Sequence, residues 1–90
     1  MLNNPNELIP LELPIKTTVL SCGVQSRVNI VIWYQFPDGC QKDKVTRYFY
    51  VAETGKPMSY QFRQFIGTIQ IETGNIINPE YVAHVFEVHK

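Results

Sequence analysis

The stretch Val28-Asn29-Ile30-Val31-Ile32-Trp33-Tyr34-Gln35-Phe36 decides the fold. It runs unbroken in β-branched and aromatic types, and Pro37-Asp38-Gly39 closes it with a turn signal. Side chains alternate along a strand, so its two faces are read separately. One carries Val28, Ile30, Ile32, Tyr34 and Phe36 and must be buried. The other carries Asn29, Val31, Trp33 and Gln35; it is half apolar and also needs a cover. The expectation is a central strand covered on both sides.

Working outward, the same alternation recurs. Upstream, Thr17–Val24 sets Leu20, Cys22 and Val24 against Thr17, Val19, Ser21 and Gly23. The small Ser21 and Gly23 leave room for a bulky neighbour, and Trp33 fits. Gln25-Ser26-Arg27 is short enough for a hairpin turn between the two strands. Further upstream, Leu8–Leu13 alternates, but Pro10 cannot donate to a ladder and Pro14 ends the run, which marks an edge strand. Residues 1–7 read as a loose lead-in.

Downstream, Lys44–Ala52 places Val45, Arg47, Phe49 and Val51 on one face and Thr46, Tyr48 and Tyr50 on the other. Glu53-Thr54-Gly55-Lys56-Pro57 then breaks the pattern. Ser59–Gln64 allows one helical turn with Ser59 as its N-cap. Phe65–Glu72 and Tyr81–His89 are the last two strands. Short connections make consecutive strands antiparallel. The fold class is therefore all-β: a small six-stranded antiparallel meander, a twisted sheet or partly rolled barrel, with at most one short helical turn. Ninety residues make one domain, 1–90. Several strands are apolar on both faces and no helix is available to cover them, so a homo-oligomer, dimer or tetramer, is expected.

Composition excludes several classes. Eight basic and eight acidic residues cancel, which argues against DNA or RNA binding through phosphate counterion release. The N-terminal segment has no basic n-region or apolar h-region, and no apolar run approaches the ~20 residues of a membrane span. A cytoplasmic protein is expected. Two cysteines, Cys22 and Cys40, are too few for a disulfide framework and lack zinc spacing, so free thiols are expected.

Chemistry is sparsely signalled. His84 and His89 are five apart on a strand and point to opposite faces, so they cannot share a metal. His84 reads as a half-buried imidazole bonded within the sheet. No nucleophile elbow is present, and Gly55-Lys56 matches a phosphate loop in two letters only. No enzyme, cofactor or metal is expected. What remains is a set around the Gly-Pro turn. Tyr48, Tyr50 and Tyr60, with Phe62 beside them, are of the type that stacks on bases. Arg47, Lys56 and Arg63 are of the type that holds phosphates, and Thr54 and Gly55 shape the loop. The same tyrosines serve equally well as core or interface aromatics.

The order of these segments resembles a family of short proteins encoded by tailed bacteriophages. The segments that carry the likeness are Leu11-Glu12-Leu13-Pro14, Thr18–Gln25, Ile32-Trp33-Tyr34, Arg47–Met58, Phe65-Ile66-Gly67-Thr68-Ile69-Gln70 and the closing Val82-Ala83-His84-Val85-Phe86-Glu87. They are similar to that family's "RTFRIYGTGHPI", "YIGTFQ" and "HVFE" segments and cover nearly the whole chain. Lys56 stands where the family's turn has His, and Glu53 where it has Gly. The resemblance implies a phage accessory protein in the cytoplasm of the infected bacterial host. By analogy with small viral β proteins it implies immune evasion of the anti-CBASS kind. Such a protein is a sponge that binds and sequesters a cyclic dinucleotide messenger without catalysis. The alternatives are a protein–protein inhibitor of a host defence complex, such as an anti-CRISPR, and a small structural phage protein.

Overall fold

Six strands form where the alternation asks for them. A computed structural model describes residues 6–26, 29–53, 60–72 and 80–89. Its strands are β1 (Leu8–Pro14), β2 (Thr18–Gln25), β3 (Asn29–Gln35), β4 (Lys44–Glu53), β5 (Phe62–Glu72) and β6 (Glu80–Val88). All pairings are antiparallel, and the domain is all-β with no helix among the described residues. The helical turn expected near Ser59–Gln64 is replaced at its described end by β5, which already starts at Phe62; Ser59 lies outside the described residues.

Strand order departs from a simple meander. One sheet has four strands in the order β1-β4-β6-β5, and the other is the β2-β3 hairpin. The long apolar strand β3 is therefore an outer strand of a two-stranded layer, not the centre. The short link between Gln25 and Asn29 keeps β2 and β3 together as a pair. The longer link from Phe36 to Asp43 lets β4 cross into the other layer, between β1 and β6. β1 is an edge, as Pro10 and Pro14 require. Of the lead-in, residues 1–5 lie outside the described residues. Asn6 takes a left-handed conformation (φ 62°), donates its N–H to the Val51 carbonyl at 2.8 Å and bonds Glu53 through its side chain.

The hairpin covers one face of the four-stranded sheet. Leu13, Phe49, Val51, Ile69, Ala83 and Val85 pack from below against Val19 and Ile30 from above. Burial along β3 fades toward its end. Ile30 is 4% exposed, but Tyr34 and Phe36 are 42% and 38% exposed, so the face expected to be buried is covered over only part of its length. Two glycines set the fit. Trp33 lies over Gly23, where an added Cβ would stand 2.6 Å from the ring, so the small residues of β2 do seat the indole. On β5, a Cβ at Gly67 would come 2.8 Å from Cys22 Sγ, which fixes how closely the layers approach.

One ion pair sits at the layer boundary. Glu87 is 2% exposed, and Arg47 clasps it with two donors: Nε to Oε2 at 2.7 Å and Nη2 to Oε1 at 2.6 Å. Arg47 Nη1 also donates to the Thr17 carbonyl, and Thr17 in turn closes the β1–β2 turn by bonding the Pro14 carbonyl. The hydrogen bond to Glu87 raises the Arg47 pKa above its ordinary value. Glu87 deprived of Arg47 would be a buried, unpaired charge.

Denaturant melts should register both the clamp and the tight layer contact. Arg47→Met alone should cost about 3 kcal/mol, whereas Arg47→Met with Glu87→Leu should recover most of that loss. Gly67→Ala should cost roughly 1–3 kcal/mol through overpacking, and distinctly less in a Cys22→Ala background.

Candidate functional site

The opposite face of the four-stranded sheet has a different character. Register places Tyr48 opposite Val88 and Tyr50 opposite Phe86, while on the other side of β6 Phe62 faces Val88, Phe65 faces Phe86 and Thr68 faces His84. In a regular strand Phe62, Phe65 and Thr68, three apart, would alternate between faces. Register shifts between Phe62 and Gln64 and again between Phe65 and Gly67 each insert a residue, and all three side chains come to one side.

The result is a graded aromatic surface. Tyr50, Ala52 and Val88 form its buried floor, with Leu8, Tyr48, Tyr60 and Phe86 half-buried around them. Phe62 and Phe65 stand out at 58% and 51% exposure. Ring centroids lie 5.4 Å apart for Phe65–Phe86, 5.6 Å for Phe62–Phe86 and 5.6 Å for Tyr50–Tyr60, all tilted. These are favourable aromatic spacings, and they leave ring faces and edges available to a flat or apolar guest. His84 sits at the margin, 6.4 Å from Phe65 and 2.9 Å from Thr68 Oγ1 through Nδ1, within the sheet as its sequence position suggested.

The residues singled out from sequence are divided by this geometry. Tyr48, Tyr50 and Tyr60 come together, with Tyr50 as floor and the other two as partly accessible walls. Arg63 is exposed in the first bulge region of β5. Arg47 is on the covered face and committed to Glu87, so it does not join the tyrosines. Thr54, Gly55 and Lys56 lie outside the described residues. Sequence reasoning missed Phe65, Phe86 and His84 as a group. Their only signal was the three-residue spacing in Phe62…Phe65…Thr68, which contradicts strand periodicity unless bulges intervene.

Other groups offer little reactivity. Among the described residues no three His, Cys, Asp or Glu side chains gather as a metal site. Cys22 and Cys40 are free, and burial pushes the Cys22 thiol up, away from the thiolate form. Burial, and then the Glu53 charge, push the Tyr81 phenol up; its hydroxyl is buried with no hydrogen-bond partner among the described residues. No helix among the described residues is long and apolar enough to cross a membrane.

Fold and surface together define a class: a small two-layer β domain that keeps an aromatic sheet face exposed. The chain belongs to the DUF7352 family, described as a domain of unknown function, whose model matches residues 3–90. Neither a curated protein nor a solved structure matches it.

Floor and rim should separate in mutagenesis. Phe62→Ser and Phe65→Ser should each change stability by no more than about 1 kcal/mol, because half of each ring is already in water. Tyr50→Ala should cost about 3 kcal/mol or more in the same urea titration.

Proposed function

We propose that this protein is a non-catalytic binder that works through the aromatic face of its four-stranded sheet. Its ligand is a nucleotide second messenger of host anti-phage defence, of the cyclic dinucleotide type, which it sequesters as a phage-encoded sponge. The observation that carries this reading is the exposed pair Phe62 and Phe65 packed on the half-buried Phe86, continuous with Tyr48 and Tyr60. Bases stack on such rings at about 1–3 kcal/mol each. Arg63 supplies an exposed cation on the strand that carries two of the rings, and Lys56 is the second cation the sequence offers. A homo-oligomer gives the ligand a second wall and accounts for aromatic surface that one copy leaves in water.

A protein partner is the second reading, as in an inhibitor of a host defence complex. One observation favours it: with Arg47 withdrawn into the Glu87 pair, the face is far richer in rings than in phosphate-binding cations. Isothermal titration against a panel of cyclic di- and trinucleotides and ADP-ribose derivatives separates the two. The sponge reading expects micromolar or tighter binding that Phe65→Ser weakens at least ~10-fold. No binding tighter than ~100 μM, about −5.5 kcal/mol, would end it.

A further inference from the structure

Beside the exposed ring of Phe65 the aromatic face carries one polar pair. Phe65 has Phe86 at 5.4 Å and His84 at 6.4 Å, ring centre to ring centre. Phe62 and Phe86 offer only carbon on one side of it. On the other side stands Thr68, exposed and opposite His84, with Oγ1 2.9 Å from His84 Nδ1. Phe65 pairs with Phe86 and Thr68 with His84, two positions apart on β6. Ring and hydroxyl are therefore separated by roughly 6.8 Å of strand. A purine stacked on Phe65 reaches across that gap, so the hydroxyl meets the edge of the base and not its face.

A hydroxyl held by an imidazole takes its direction from the imidazole proton. Threonine has one proton to donate and two lone pairs to accept with. Where Nδ1 of a neutral ring is bare, Thr68 donates to it and turns its lone pairs outward. In the imidazolium both ring nitrogens carry protons, so Nδ1 donates to Thr68 and the hydroxyl proton turns outward. Imidazole is the side chain type that changes charge between pH 5 and 8. The described side chains on the same face around His84 are Tyr50 and Ala52 of β4, Phe65, Thr68 and Gln70 of β5, and Val82 and Phe86 of β6. None of these is an acid or a base apart from the Tyr50 phenol. Arg63 lies toward the Val88 end of the ladder, and Glu53 shares the covered side of β4 with Val51. The other imidazole, His89, follows the end of β6, where its backbone N–H donates to the Gln61 carbonyl.

We infer that Thr68, turned by His84, selects the base of the nucleotide proposed above, and the inference rests on that binding mode. A neutral imidazole leaves Thr68 an acceptor, which suits a 6-amino edge such as that of adenine. A protonated imidazole makes Thr68 a donor, which suits a 6-oxo edge such as that of hypoxanthine. Each edge meets its own kind in the opposite state and loses one hydrogen bond, about fivefold in affinity. His84 acts through Thr68 and is a positioning residue.

Isothermal titration with cyclic di-AMP and cyclic di-IMP at pH 7.5 and 5.5 tests this. The two carry the same phosphates, so the ratio of their dissociation constants cancels any general attraction between imidazolium and phosphate. The ratio should favour cyclic di-AMP about fivefold at pH 7.5 and fall by at least that factor at pH 5.5. Thr68→Val should bring it near one at both pH values, and Thr68→Ser, which keeps the hydroxyl, should restore the preference and its pH dependence. His84→Gln should make the ratio independent of pH. In the protein alone, long-range proton–nitrogen correlation spectra should show His84 Nδ1 without a proton at pH 7.5; a proton there would overturn the inference with no nucleotide present. Both ligands binding through Phe65 at one pH-independent ratio, or a preference for cyclic di-IMP at pH 7.5, would overturn it and leave the sponge reading standing. Failure of both ligands to bind would also overturn it, and the wider nucleotide panel decides whether the sponge reading falls too.

Discussion

A carboxylate at 2% exposure imposes the strictest condition on this molecule: Glu87 folds inward only with Arg47 beside it. The guanidinium satisfies both carboxylate oxygens and spends a further donor on the Thr17 carbonyl at the entry to β2. One side chain thus ties β4 to β6 within a sheet and ties that sheet to the layer above. A planar fork with several fixed donors can do this; a lysine could not. The clamp also assigns the two faces their work. The covered face holds a buried charge pair, and the other is left to rings.

The same division explains why a cluster of aromatic and basic residues close in sequence does not make a single site. Arg47 and Tyr48 are neighbours in the chain and point to opposite sides of β4. The cation becomes architecture and the phenol becomes surface. In exchange, β6 brings Phe86 and His84 to the tyrosines from nearly forty residues away, and β5 adds Phe62 and Phe65 from its other flank.

β5 shows how a small irregularity makes a surface. Each extra residue reverses the parity of the positions after it, so residues 62, 65 and 68 align where a flat strand would scatter them. The bulges also disrupt an edge that would otherwise invite another strand.

Much of the fold was legible in the chain itself. Alternation and turn residues placed six strands within a few residues of their ends, and prolines marked β1 as an edge. Ser21 and Gly23 announced a bulky neighbour that proved to be Trp33. These are local properties, set by the pleat and by residue shape. Which strands pair was not legible, because β4 can reach β1 and β6 only through contacts distant in sequence, and nothing local ranks those partners. The site followed suit. Tyr48, Tyr50 and Tyr60 were grouped from their types and do pack together, but the partner of Arg47 and the company of Phe65 depended on register, which only the packed tertiary structure decides.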